Sequence, residues 1–206
     1  MRSAALTVLL LLAVQVLPAV AQPVPGPLPL TTEQRDDLLA HPTIVVGYYD
    51  SGWPPFEALH GERVEGMGPE IVSQVAARLG LEVQMRRLGS WAEVLNAACR
   101  GEIDVVMNIS QNSERNRCLL YTAPYVDAPL AIVVRSGDLA TAGNADLDVR
   151  RVVVEQNFLT GPQVRARYPR ARQIVADSTL QALQMVKHDK ADAFIGNAYV
   201  ADRLIA

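Results

Sequence analysis

Residues 103–125, IDVVMNISQNSERNRCLLYTAPY, join an apolar run typical of a buried strand to a polar segment that carries Arg115. In alternating α/β folds, small ligands bind beyond the carboxyl ends of the strands. A guanidinium placed there suits a carboxylate, because its planar fork can donate two parallel hydrogen bonds. The alternative is that Arg115 pairs with Glu114 on the surface, where such a pair contributes little to stability.

The rest of the chain alternates strand patterns with helix patterns. Apolar runs predict strands at 43–49, 81–88, 104–109, 130–134, 151–155, 173–176 and 191–196. Helical spacing predicts helices at 32–39, 68–79 and 160–168 and from about 197, and capping sequences open two more at Ser90 and Ser178. This alternation predicts an α/β fold with mainly parallel sheets, in two lobes joined near residues 125–129.

The amino terminus is typical of an export signal. Arg2 precedes an apolar segment at 6–16 and the small-x-small sequence AVA at 19–21. We therefore expect a cleavable signal peptide at 1–21, a periplasmic mature protein, a Pro-rich leader with a short helix at 22–42, lobe one at 43–126 and lobe two at 127–206. The 19 Lys+Arg against 22 Asp+Glu give no sign of a nucleic-acid partner. Beyond the signal peptide, no segment approaches the ~20 apolar residues of a membrane span.

The two cysteines, Cys99 and Cys118, leave two alternatives open. In an oxidising compartment they could form a disulfide that stabilises the fold by about 3 kcal/mol, or they could be two buried thiols. The sequence has no C-x-x-C motif, and its three histidines are scattered without ligand spacing. We therefore predict no metal site and no cofactor.

Several stretches together resemble one family. Ser110, Arg115, Tyr121, Pro124 and Tyr125 follow a spacing similar to the T-x-x-x-x-R…F-S-x-P-Y signature of family 3 extracellular solute-binding proteins, the amino-acid-binding Venus flytraps. Further similar stretches occur in the family's order: VVGYYDSGWPPFE at 45–57, GMGPEIVSQVAARLGLEV at 66–83, SWAEVLNAACRGEIDVV at 90–106, DLDVRRVVV at 146–154 and LQALQMVKHDKADAFIG at 180–196. The chain looks most like flytrap domains that precede membrane-anchored hybrid histidine kinases.

This resemblance implies a two-lobed periplasmic-binding-protein fold with its ligand between the lobes. It implies that Asp50, Trp53 and Trp91 wall the ligand from lobe one, that Asn108 and Ser110 hydrogen-bond to it, and that Arg115 clamps its carboxylate. Each residue also has a structural alternative. Both tryptophans could be packing residues, and Asp50 could cap a turn.

The chain departs from the family pattern at two places in lobe two. Where the family has an aspartate that pairs with a ligand ammonium, this chain has Asn197, so we expect a carboxylate without an α-ammonium, or an amino-acid-like solute. Residues 156–159, QNFL, replace the family's Gly-Thr loop, and Phe158 is either a lid or a core residue.

The resemblance also implies a return strand to lobe one, which the sequence up to Ala206 does not contain. We expect either a piece of a longer protein or a truncated relative with an exposed apolar surface on lobe one. The leading function is ligand binding without catalysis, reported to an ABC permease or to a covalently linked sensor kinase. The alternatives are a periplasmic dehydratase-type enzyme on the same fold and a degenerate, non-binding domain.

Overall fold

The structure is a computed structural model that describes residues 28–138 and 147–206. The expected signal peptide and the first residues of the Pro-rich leader lie outside the described residues. The described chain forms the two α/β lobes that the sequence predicts. Among its helices, none is long and apolar enough to cross a bilayer.

Lobe one is built on a parallel sheet of three strands in the order β4-β1-β5. Its elements are α1 (Thr32–Ala40), β1 (Thr43–Tyr49), β2 (Ala58–His60), β3 (Arg63–Glu65), α2 (Met67–Leu79), β4 (Glu82–Leu88), α3 (Trp91–Cys99) and β5 (Val105–Val106). Helix α2 ends at Gly80, whose left-handed backbone, with φ +74°, suits a residue without a side chain. Helix α3 begins after Ser90, whose hydroxyl accepts from the Glu93 amide at 3.2 Å.

Lobe two is built on a sheet of four strands in the order β6-β9-β7-β8. Its elements are β6 (Leu130–Val134), β7 (Arg151–Glu155), α4 (Thr160–Arg167), β8 (Arg172–Ala176), α5 (Thr179–Lys187), β9 (Ala193–Asn197) and α6 (Ala198–Ile205). Strand β7 runs parallel to β8 and β9, whereas β6 is antiparallel to β9. No strand within residues 147–206 joins the lobe-one sheet.

Each lobe has a core on both faces of its sheet. In lobe two, Val153 packs in one cluster with Phe194, while Val152 and Val154 pack in the other with Val164. Because helices cover both faces, β7 is a continuous apolar run rather than an alternating one. In lobe one, Tyr49 packs against α3, and the opposite face of β1 packs in a second cluster.

The strand predicted at 104–109 pairs with β1 only at Val105 and Val106. Asn108 takes a left-handed conformation, with φ +53°, and its amide donates to the Tyr125 hydroxyl at 3.0 Å. The chain therefore leaves the sheet after Val106, and the turn at Asn108 prevents the strand from continuing. The hairpin of β2 and β3 was not predicted, because strands of three residues are too short for a recognisable alternation.

A disulfide joins Cys99, at the end of α3, to Cys118, with 5.1 Å between the Cα atoms. Of the two alternatives left by the sequence, the structure has the bonded one. The bond ties the polar segment after β5 to the helix that begins at Trp91, and so holds the two parts of lobe one that face lobe two.

Candidate functional site

Arg115 lies where the two lobes meet, and only 9% of it is exposed. Its Nη1 donates to the carbonyl of Ser110 at 2.8 Å, and its Nη2 donates across the interface to the carbonyl of Asn157 at 2.9 Å. The guanidinium carbon is 5.8 Å from the centre of the Trp91 ring. The surface pair with Glu114 is instead made by Arg117, at 3.6 Å.

Both oxygens that hold the Arg115 side chain are neutral carbonyls. No ion pair to Arg115 occurs in the described residues, and burial lowers its pKa because the charged form loses water. The Arg115 backbone amide donates to the Asn112 side-chain oxygen at 2.7 Å, and this hydrogen bond stabilises the turn that carries Arg115. Within the described residues, the interface thus contains a buried cation whose side chain has two hydrogen bonds to neutral carbonyls and no ion pair.

Phe158 of lobe two inserts between the two tryptophans of lobe one. Its ring centre is 5.8 Å from that of Trp53 and 5.8 Å from that of Trp91. These are the only two tryptophans in the sequence. Both indole nitrogens are buried without a hydrogen-bond partner. Phe158 is therefore a contact between the lobes in this closed arrangement, and the three rings occupy the centre of the interface.

Two buried carboxyl groups, one from each lobe, were not among the predicted site residues. Glu155 ends β7 and is 2% exposed, and Glu57 follows the Trp53 turn and is 4% exposed. One Glu155 oxygen accepts from the Thr179 hydroxyl, and Glu57 accepts from the Asn108 amide nitrogen at 3.4 Å. Burial raises the pKa of each carboxyl to about 7.

Tyr49 lies close enough to both carboxyl groups for their charges to act on it. Burial is the largest cause of the raised pKa of Tyr49, and the charges of Glu155 and Glu57 raise it further. Its ring also packs edge-on against Trp91, with 6.0 Å between the centres. A sequence signal for Glu155 existed, since its carboxylate directly follows three consecutive valines in β7. Glu57 gave no such signal.

The other predicted ligand residues are engaged elsewhere in this arrangement. Asp50 is exposed and accepts from Arg87 on the surface of lobe one. Asn108 is held by Glu57 and by Tyr125, whose hydroxyl donates to it at 2.8 Å. Ser110 is exposed and contributes its backbone carbonyl to Arg115. Asn197 is 5% exposed, and its side-chain oxygen accepts from the Val200 amide at the start of α6.

A cavity of about 210 Å³ remains between the lobes. It is lined by residues of the 51–59 loop and of the amino-terminal turn of α5, among them Gly52, Pro54, Ser178 and Thr179. It is smaller than most ligand clefts, which measure ~300–1,000 Å³. No three His, Cys, Asp or Glu side chains in the described ranges converge as a metal site would require.

Comparison with known proteins identifies the family of this chain. Residues 44–192 match the sequence model of the bacterial extracellular solute-binding proteins, family 3. The chain is 29% identical over 164 residues to the virulence sensor protein BvgS of Bordetella pertussis, a match that covers 79% of this chain and 13% of BvgS. It is 27% identical over 158 residues to a probable amino-acid ABC transporter-binding protein of Haemophilus influenzae, covering 75% of this chain and 60% of that protein.

Solved structures show the same architecture. The crystal structure of the B. pertussis BvgS periplasmic VFT2 domain has a TM-score of 0.74 at 26% identity, covering 84% of this chain and 73% of that domain. The ancestral amino acid-binding protein AncCDT-1, a precursor of cyclohexadienyl dehydratase, has a TM-score of 0.73 at 21% identity, covering 83% of this chain and 77% of that one. At that identity the likeness concerns the fold alone. The matched family sequence and the two-lobed architecture together place this chain in family 3 of the bacterial extracellular solute-binding proteins, with a Venus flytrap fold.

Proposed function

We propose that this chain is the ligand-binding input domain of a periplasmic sensor protein, and that its ligand is a small carboxylate or an amino-acid-like solute. The observation that carries the proposal is the Arg115 guanidinium, buried between the lobes on two neutral carbonyls. A buried charge is costly unless an opposite charge accompanies it. A ligand carboxylate meets that need.

The carboxylate takes the place of the Asn157 carbonyl on Arg115. A charge-assisted hydrogen bond is about twice as strong as a neutral one, so the exchange favours the ligand. Asn157 is exposed and has a left-handed backbone, with φ +62°, in a turn between β7 and α4. The Ser110 carbonyl keeps its bond and orients the guanidinium.

The two tryptophans supply the apolar part of the site. Trp53 and Trp91 now hold the Phe158 ring between them, and flat aromatic faces can cover the apolar stem of a ligand in the same way. Binding therefore displaces Phe158 together with the neighbouring Asn157 carbonyl. The ligand contacts predicted for Asp50, Asn108, Ser110 and Asn197 stay proposals.

The likeness to the virulence sensor protein BvgS supports sensing as the output. The resemblance to flytraps that precede histidine kinases supports a covalently linked kinase as the partner. The likeness to the H. influenzae protein supports uptake through an ABC permease instead. We favour sensing, because the BvgS match has the higher identity and because the leader and β1 region resemble kinase-linked flytraps. These relatives are binding and sensor proteins, so we propose binding without catalysis in the periplasm, reached through the signal peptide at 1–21.

A second candidate is a domain whose cleft binds nothing. The position of Phe158 favours it, because the ring already fills the space between the two tryptophans. In that case Phe158 and the Asn157 carbonyl permanently occupy the positions that a ligand would take beside the two tryptophans and Arg115.

A thermal-shift screen separates these candidates. The wild-type protein is mixed with a panel of amino acids, organic acids and their uncharged amides, and hits are repeated by calorimetry. The proposal expects that carboxylates raise the melting temperature and that their amides do not. A flat response across the whole panel, in the wild type and in Phe158→Ala alike, would support the non-binding domain and reject ours.

A further inference from the structure

Glu155 belongs to lobe two, and much of its surroundings belongs to lobe one. The Trp53 indole lies beside its carboxyl group, and Tyr49 is close enough for its pKa to respond to the Glu155 charge. Phe158, three residues further along the chain, inserts between the tryptophans and keeps the lobes together. We propose that closing of the lobes takes up a proton on Glu155, so that acidic conditions favour the closed arrangement even without a ligand.

The two oxygens of Glu155 differ in their surroundings, and those of the second oxygen suit the protonated form. One oxygen accepts from the Thr179 hydroxyl. The second oxygen is buried and completes no hydrogen bond, and neither does the indole nitrogen of Trp53. An ionised carboxylate with an unpartnered buried oxygen is strongly disfavoured, whereas a neutral carboxyl group bears that environment at much lower cost.

The groups that face Glu155 contain no compensating cation. From lobe one they are the Trp53 indole and the Tyr49 phenol, and the charge of Glu57 also acts on Tyr49. From lobe two the facing group is Thr179, in the first turn of α5. In the part of the chain that the structure describes, Glu155 forms no ion pair. Glu57 adds a second buried acid instead of a positive charge.

The direction of the effect follows from proton binding. Burial raises the pKa of Glu155 from its ordinary value of 4.5 to about 7, while the hydrogen bond from Thr179 and the neighbouring Trp53 indole oppose the rise. Separating the lobes removes the cover of Trp53 and Tyr49, so the pKa of the open form lies nearer the ordinary value. Between these values the closed form holds a proton that the open form has released. The closed-to-open ratio therefore falls as pH rises, by up to about tenfold per pH unit for one proton.

This coupling needs no solute, so its test is independent of the proposed ligand. Small-angle scattering of the ligand-free protein between pH 4.5 and 8 measures the radius of gyration, and Trp53 and Trp91 emission follows the interface in parallel. We expect the wild type to expand as pH rises, and Glu155→Gln, a mimic of the protonated form, to stay compact throughout. Glu57→Gln is the matched control, because the hydrogen-bond partner of Glu57 lies in its own lobe, and it should keep the response.

The variant Thr179→Val provides a second test, in which Glu155 itself is unchanged. The hydroxyl lowers the Glu155 pKa, so its removal should move the midpoint of expansion to higher pH. Circular dichroism confirms that each variant is folded. The proposal is overturned if the wild type shows no pH response, if Glu155→Gln keeps it, if Glu57→Gln loses it as completely, or if the Thr179→Val midpoint does not rise.

Discussion

At the scale of single residues, the interface combines a buried cation, three aromatic rings and two buried acids. The family resemblance indicated Arg115 and the two tryptophans, and all three lie where the lobes meet. Their contact with a ligand stays a prediction. The same resemblance indicated Asp50, yet Arg87 engages it on the surface. Glu155 directly follows the three valines of β7, a local signal that the prediction did not use, whereas no local pattern reports the burial of Glu57.

Replacing Phe158 by alanine should open the lobes. The change removes two aromatic contacts, each worth about 0.5–1.5 kcal/mol beyond the buried area, so we expect the closed-to-open ratio to fall at least about tenfold. Tryptophan emission should shift to longer wavelength as Trp53 and Trp91 meet water. Phe158→Tyr keeps the ring and serves as the control. Unchanged emission in Phe158→Ala would contradict the interlobe role of this residue.

At the scale of elements, most helices and strands could be predicted, because their periodicity and caps are local. Ser90 and Ser178 start α3 and α5 as their sequences indicate. The pairing of the strands was harder to predict from the sequence. The antiparallel pairing of β6 with β9 joins residues 59 to 67 positions apart, for example Leu130 with Asn197, and depends on the fold of the whole of lobe two.

The disulfide between Cys99 and Cys118 should stabilise the fold through α3 and the Arg115 turn. The two cysteines are 19 residues apart, and cross-linking a loop of that size contributes about 3 kcal/mol to the free energy of unfolding. Urea unfolding of Cys99→Ser/Cys118→Ser should show this loss. The wild type with a reducing agent is the control and should unfold at the same urea concentration as the double variant. A double variant as stable as the oxidised wild type would rule the contribution out.

Asn197 should stabilise α6 as its cap. Its side-chain oxygen accepts from the Val200 amide at 3.1 Å, so Asn197→Ala should lower the free energy of unfolding by about 1 kcal/mol. Asn197→Ser keeps an oxygen at the cap and should recover most of the loss. If serine and alanine unfold at the same urea concentration, capping does not explain this residue.

At the scale of the whole molecule, Glu57 and Glu155 should make stability depend on pH. The pKa of each is raised to about 7 in the folded protein, against an ordinary value of 4.5. Between these values the folded protein holds more protons than the unfolded chain, so the free energy of unfolding falls as pH rises. The slope is at most about 1.4 kcal/mol per pH unit for each group.

Urea unfolding at several pH values between 4.5 and 7.5 measures this slope. Subtracting the curve of Glu57→Gln/Glu155→Gln isolates the contribution of the two acids from that of all other titrating groups. A wild type that gains stability relative to the double variant as pH rises would show that the carboxyl groups are ionised in the folded state.

We predict that the cleft between the two lobes closes on an anion bound at Arg115. Calorimetric titration of a carboxylate hit into the wild type, Arg115→Ala and Arg117→Ala tests this most directly, because Arg117 is an exposed arginine of the same turn. Loss of a charged partner buried in an interface costs about 2–5 kcal/mol. We predict that Arg115→Ala loses at least about 30-fold in affinity while remaining folded by circular dichroism, and that Arg117→Ala binds like the wild type. Equal affinity in all three proteins would contradict the account.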